Sequence, residues 1–131
     1  MVKVLDTHAL MAYFEKEPGY EKVTSLFSEA VERDSNLLMT SVNYGEVYYI
    51  VLRERGLEKV KNIEYIIKTL PIDIIDVDIE LAKEAGSIKA HHKLSYADCF
   101  TAALAKMHKG EVITGDKEFK CLEKIVKINW L

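Results

Sequence analysis

The chain has 131 residues, 49% of them hydrophobic and 30% charged, with 18 basic and 21 acidic side chains for a formal net charge of −3. That length is close to the commonest size of one domain, so residues 1–131 are expected to form a single domain around one core. No run approaches the roughly 18 uninterrupted apolar residues of a membrane span, and the opening Met-Val-Lys-Val-Leu-Asp lacks a signal-peptide core; the expectation is a soluble, cytoplasmic protein.

In chain order, Met1 to Leu5 reads as a short strand interrupted by Lys3 and ending at Asp6-Thr7-His8. Helical pattern follows from Ala9 to Glu15, breaks at Pro18-Gly19, and resumes from Tyr20 to Arg33. Asn36 to Ser41 (NLLMTS) suits a second, buried strand; Asn43 to Arg55 is helical, Gly56 stops it, and Leu57 to Leu70 is another helix. The β-branched run Ile72 to Val77 predicts a third strand, followed by a helix over Ile79 to Ala90, a His91-His92-Lys93 loop and a helix over Ser95 to Lys109. Glu111 to Thr114 is a fourth strand, Asp116 to Leu122 a short helix, and Ile125 to Ile128 a fifth strand. Strands alternating with helices place the chain in the α/β class, with parallel pairing. Right-handed crossovers then bring every strand's C-terminal end to one edge, where ligands of such sheets bind.

That edge collects acids: Asp6, then Ser41 with Glu46, then Asp76 and Asp78, then Thr114 with Asp116, joined by Asp98 from the start of its helix. Taken singly, each reads as a helix cap. Ser95-Tyr-Ala-Asp98 and Asn43-Tyr-Gly-Glu46 both have capping-box spacing, while Asp78 and Asp116 stand as N-caps. Asp76 and Asp78 need no role beyond caps or solvated turns. Burial sets two acids apart. Asp98 enters a helix that carries Phe100, Leu104 and Met107 and is apolar nearly all round, and Glu46 precedes Val-Tyr-Tyr-Ile-Val-Leu. An unpartnered buried carboxylate costs several kcal/mol or more. If these acids converge with Asp6 they repel, and a hard divalent cation relieves the repulsion. An all-oxygen donor set without His/Cys spacing points to Mg²⁺ or Mn²⁺.

The remaining residues divide between chemistry and plainer duties. Lys89, His91, His92 and Lys93 form a basic cluster before the Asp98 helix, suited to a phosphate backbone or equally to a solvated loop. His8 invites a general-base role, but a helix-start histidine without one is the simpler reading. Ser41, Asn43 and Ser95 are expected to cap helices or orient a neighbouring acid. Tyr44, Tyr48 and Tyr49 stack on bases or pack in a core or dimer interface, and Arg53 and Arg55 end a helix. Cys99 and Cys121 are too few and too separated for zinc or a disulfide framework and read as packed free thiols. The slight acidic excess disfavours nonspecific attraction to nucleic acid, leaving a local basic patch or a bound metal to supply it. The absence of Gln and the abundance of Lys and Glu form a thermophile-like pattern.

Four motifs stand in a telling order: VLDTHAL at Asp6, TSVNYGEVYY at Glu46, LSYADCFTAALA at Asp98, and TGD at Thr114 to Asp116. In this order, and from Lys3 to the last strand, the chain resembles a PIN domain, and in size the VapC-type toxin ribonucleases of toxin–antitoxin pairs. The resemblance implies a three-layer α/β/α sandwich with a central, mostly parallel five-stranded sheet. It implies an acidic set of Asp6, Glu46, Asp98 and Asp116, with Thr114 holding a carboxylate or a metal-bound water, and places Asp76 and Asp78 away from the pocket. It further implies Mg²⁺- or Mn²⁺-dependent hydrolysis of single-stranded RNA by a homodimer held inactive by a protein antitoxin. In that chemistry a metal acidifies a water and stabilises charge on the phosphate; Asp6, Asp98 and Asp116 hold it, and Glu46 ligates it or orients the attacking water. A housekeeping PIN-domain RNA-processing nuclease fits the same residues. A flavodoxin-like phosphoacceptor module fits less well, because Asp6 has no acidic neighbour and Glu46 and Asp98 would be unexplained. A non-catalytic interaction domain is at odds with an intact acidic set.

Overall fold

The computed structural model describes residues 1–131. Strands β1 (Lys3–Leu5), β2 (Leu37–Thr40), β3 (Ile72–Ile75), β4 (Glu111–Thr114) and β5 (Lys127–Trp130) form one sheet in the order β3-β2-β1-β4-β5. Every neighbouring pair is parallel. The connecting helices are α1 (Thr7–Glu15), α2 (Tyr20–Glu32), α3 (Ser41–Arg55), α4 (Leu57–Thr69), α5 (Ile79–His91) and α6 (Tyr96–Met107), with a 3₁₀ helix over Lys117–Leu122. No helix is long and apolar enough to cross a membrane.

Period-2 alternation along the central strands divides the core into two halves. Leu5 and Ile113 face the half built with Leu10, Val23, Phe27, Val47, Val51 and Ile63 of α1 to α4. Val4 and Val112 face the other half, against Leu81, Ile88, Phe100, Leu104 and Phe119 of α5, α6 and the 3₁₀ helix. The result is the three-layer α/β/α arrangement. Helix α6 is the most enclosed, with Asp98 through Ala105 all buried; its alanines let it lie close to its neighbours.

From β1 the chain moves outward to β2 and β3 on one side, then to β4 and β5 on the other. Strand order therefore reverses between β1 and β4, and the crevice outside their C-terminal ends is the place such a sheet offers a ligand. Asp6 follows β1 there and Thr114 ends β4.

Three local outcomes differ from expectation. Helix α3 begins at Ser41, because the Thr40 hydroxyl accepts the Asn43 N–H at 3.1 Å and caps it; Asn43 is thus inside the first turn and caps nothing. The fifth strand starts two residues later than expected, since the Ile125 and Val126 N–H groups turn back to the Leu122 carbonyl at 2.9 and 3.0 Å. Lys127 then stands in register with Glu111 and pairs with it at 3.3 Å, while Asn129 donates to the same carboxylate at 3.1 Å. The segment after Asp116 is 3₁₀ rather than α.

Gly110, which leads into β4, has no room for a side chain: a Cβ would collide with the Val2 carbonyl oxygen, the acceptor of the Glu111 N–H at 2.8 Å. Gly110→Ala should therefore push β1 from β4 and destabilise the fold by about 1–3 kcal/mol, read as a lower urea midpoint with unchanged slope. An unaltered midpoint would show that the start of β1 yields freely.

Candidate active site

The starts of α1, α3, α6 and the 3₁₀ helix meet at the crevice, and each is capped by a short polar side chain: Asp6, Thr40, Ser95 and Asp116. Asp6 is 1% exposed. Its Oδ1 accepts the Ala9 N–H at 2.7 Å, and its Oδ2 accepts the hydroxyl of Thr114 across the gap between β1 and β4. Thr114 Oγ1 in turn accepts the Asp116 N–H at 2.9 Å, and Asp116 Oδ1 accepts the Glu118 N–H at 2.9 Å. One hydrogen-bonded chain thus fixes Asp6, Thr114, Asp116 and the backbone at Glu118 relative to one another.

Asn43 performs the same service for the helices. It is fully buried, and its side-chain Nδ2 donates to the Ala97 carbonyl at 3.2 Å and to Thr7 Oγ1 at 3.3 Å, while its Oδ1 accepts the Thr40 hydroxyl. The first turns of α1, α3 and α6 are joined through this one amide. Asp98 is carried on the joined α6, with its N–H accepted by Ser95 Oγ at 3.2 Å, as the capping-box spacing implies.

Asp98, Asp116 and Glu118 each present a ligand atom, all within 4.8 Å of one another. Two of these acids were expected from the sequence; Glu118 was not. In Asp-Lys-Glu-Phe-Lys it looks like ordinary surface charge, and only the 3₁₀ turn after Asp116 brings it round to the crevice. Glu46 is half-buried in the second turn of α3 and lies outside the 4.8 Å group, although its charge acts on Asp98. Asp6 also lies outside it, held back by Thr114 and Ala9. Three hard oxygen donors at this separation suit a divalent cation far better than a soft metal.

The other singled-out residues lie as follows. Lys89 donates to the Leu94 carbonyl at 2.7 Å and His91 Nδ1 pairs with the Ser87 carbonyl at 3.0 Å, so two of the four basic-cluster residues are engaged by their own backbone; Lys93 is exposed and His92 half-buried. Tyr44 donates to Glu64 Oε2 at 3.0 Å and packs on the core with Tyr48, whereas Tyr49 is exposed beneath the Arg53 guanidinium. Asp76 is exposed beyond edge strand β3, and Asp78 caps α5. Cys99 is buried as expected, but Cys121 is exposed, because the 3₁₀ helix turns it outward. A cleft of about 410 Å³ opens at the opposite edge of the sheet among Lys3, Leu26, Arg33, Leu37 and His108; none of Asp6, Glu46, Asp98, Asp116 and Glu118 lines it.

Burial dominates the electrostatics of the crevice. It pushes the Asp6 carboxyl up to about 8, against the lowering effect of the Thr114 and Ala9 hydrogen bonds, with the charges of Asp98 and Asp116 adding to the rise. Asp98 is pushed up to about 6, again by burial first; the Ser95 hydrogen bond lowers it, and Asp116, Glu46 and Glu118 raise it. Both acids bind protons more tightly in the folded chain than in the unfolded one. Their proton-linked contribution to stability is complete below the ordinary value of 3.8 and is lost as pH rises through about 6 for Asp98 and about 8 for Asp6. In EDTA, the melting temperature should fall as pH is raised from 5 to 8.5, and Asp6→Asn should flatten the upper part of that slope. A wild-type profile that rises over this range would refute the burial of these charges.

A family model for the PIN domain matches residues 3–125. No curated protein sequence matches the chain. Among solved structures, the DNA-bound VapBC of Salmonella typhimurium contains a chain 18% identical, with a TM-score of 0.81 over 98% of this chain and 97% of that one. VapBC2 of Rickettsia felis, bound to a promoter DNA fragment, gives 16% identity and a TM-score of 0.78 over 100% and 99%. VapC20 of Mycobacterium tuberculosis, a toxin that cleaves the sarcin-ricin loop, gives 13% and 0.69 over 91% and 93%. At these identities the likeness is one of fold, while the family model spans nearly the whole chain and takes in every acid of the crevice: the chain belongs to the PIN domain family.

Proposed function

We propose that this PIN-domain chain is a divalent-metal-dependent endoribonuclease acting on single-stranded RNA, the toxin of a VapC-type toxin–antitoxin pair. One observation carries the reading: ligand atoms of Asp98, Asp116 and Glu118 within 4.8 Å of one another, at the strand-order reversal of a sheet whose family contains nucleases. The toxin assignment is supported by solved neighbours that are VapBC complexes and match this chain over 97–99% of their own length. The exposed Tyr49 of α3 and Leu57 and Tyr65 of α4 give apolar surface for a second copy or an antitoxin.

Asp98, Asp116 and Glu118 would hold Mg²⁺ or Mn²⁺, with Asp6 and Glu46 beside them. When bound, such a cation supplies Lewis acidity toward the phosphate and toward the nucleophilic water. In the reaction, water adds to phosphorus while the P–O bond to one ribose oxygen breaks, and that oxygen takes a proton from solvent as the attacking water gives one up. Of the two acids of the resemblance set outside the 4.8 Å group, Asp6 is taken up by Ala9 and Thr114, and Glu46 orients the water and takes its proton. Asp6 keeps Thr114 and the Asp116 turn in place, so that the ligand carboxylates do not splay.

Purified protein should cleave single-stranded RNA with Mg²⁺ or Mn²⁺ and stop in EDTA. Asp98→Asn should lower kcat by about 10²-fold or more while leaving the metal-free melting temperature equal or higher, since a costly buried charge is gone. Retained cleavage in that variant sinks the assignment. Glu118→Gln should weaken the metal-induced rise in melting temperature by about tenfold in metal concentration; an unchanged titration would return the ligand role to Asp6 or Glu46. The adjoining gene separates toxin from housekeeping nuclease: the toxin reading requires a neighbouring product that binds this chain and blocks cleavage.

A further inference from the structure

The imidazole of His8 rests against the turn that carries Asp116. A Cβ placed on Gly115 would come 2.6 Å from His8 Cε1, 3.1 Å from Nδ1 and 3.5 Å from Nε2, and these are its three nearest atoms. The backbone of Gly115 lies outside the left-handed region, so its lack of a side chain serves this contact and no turn strain. His8 itself is exposed, in the first turn of α1. The ring of His8, two residues after the Asp6 cap, thus lies against Gly115 of the Thr114–Asp116 turn and is otherwise open to solvent.

Four donors close to the ring are already committed within the crevice. The Ala9 N–H and the Thr114 hydroxyl go to Asp6, the Asp116 N–H to Thr114, and the Glu118 N–H to Asp116. A polyanionic strand approaching four or five carboxylates needs a donor at the rim to accept its non-bridging oxygens without a clash of charge. We infer that His8 is a substrate-contacting residue whose ring N–H donates to a phosphate oxygen of the RNA strand next to the scissile bond, and that Gly115 is glycine to seat that ring. This inference rests on the nuclease reading and names a residue through which the site grips its substrate. It requires no change in the protonation of the ring, since neutral imidazole already carries one N–H.

The test is steady-state cleavage of a short single-stranded oligoribonucleotide in saturating Mg²⁺, with melting temperature followed against metal concentration in parallel. His8→Ala should raise KM roughly fivefold to tenfold, change kcat less than about twofold, and leave the metal titration where it was. His8→Gln, which keeps an N–H donor, should recover most of the loss. Gly115→Ala should show the same KM defect by displacing the ring, and adding it to His8→Ala should cost little more, because both act through one contact. Equal KM values for wild type and His8→Ala overturn this inference while leaving the nuclease reading standing. A defect confined to kcat also overturns it, as does a Gly115→Ala loss that persists in full without the ring. Metal-dependent stabilisation without any cleavage by the wild type removes the nuclease reading and this inference with it.

Discussion

An all-parallel sheet delivers the C-terminal end of every strand, and the N-terminal end of the helix that follows, to the same edge. Here β1 lies at the centre of that sheet, so the starts of α1, α3, α6 and the 3₁₀ helix crowd around a single point. Helix starts carry unpaired N–H groups and a partial positive charge, which favour carboxylates. Capping and collecting acids are therefore one process: the oxygen that satisfies a helix start leaves its twin oxygen free to face the crevice. Asp116 does this, giving one oxygen to the Glu118 N–H while joining Asp98 and Glu118 in the 4.8 Å group.

The same crowding opposes the fold. Asp6 and Asp98 are pushed toward their neutral forms because burial removes water faster than hydrogen bonds replace it. Local consistency gives way at this point, as is common where a site is held ready for a ligand. What keeps the acids together lies mostly outside them. Asn43 joins three helix starts from within the core, and α6 carries Asp98 at the head of a run buried through Ala105.

How much of this could be read in advance follows the range of the interactions. The Ser95–Asp98 capping box, the Asp78 and Asp116 caps and the limits of β4 lie within three or four residues and were plain in the sequence. Asn43 has the composition and spacing of a cap, but its side-chain partners Thr7 and Ala97 are 36 and 54 residues away and leave no local trace. Glu118 was missed for a related reason. Its surroundings are charged and exposed, and its place in the crevice depends on a 3₁₀ turn where α periodicity was expected. The order of the four acids points to the fold, but which carboxylates draw together depends on contacts such as the Thr114 hydroxyl on Asp6 and the Glu118 N–H on Asp116.

The bond between the Thr114 hydroxyl and Asp6 closes 108 residues of chain. Synthesis proceeds from the N-terminal end, and domains with pairings this distant organise late. Until Thr114, Asp116 and Glu118 have been made, Asp6 has no lock and Asp98 lacks the two acids that lie within 4.8 Å of it. A growing chain passing through the ribosome, surrounded by RNA, therefore carries scattered acids and no assembled site. The sheet's central strand β1 is translated before β2 and β4 and is paired on both sides only once β4 has been made, which ties assembly of the acidic cluster to a late stretch of the domain.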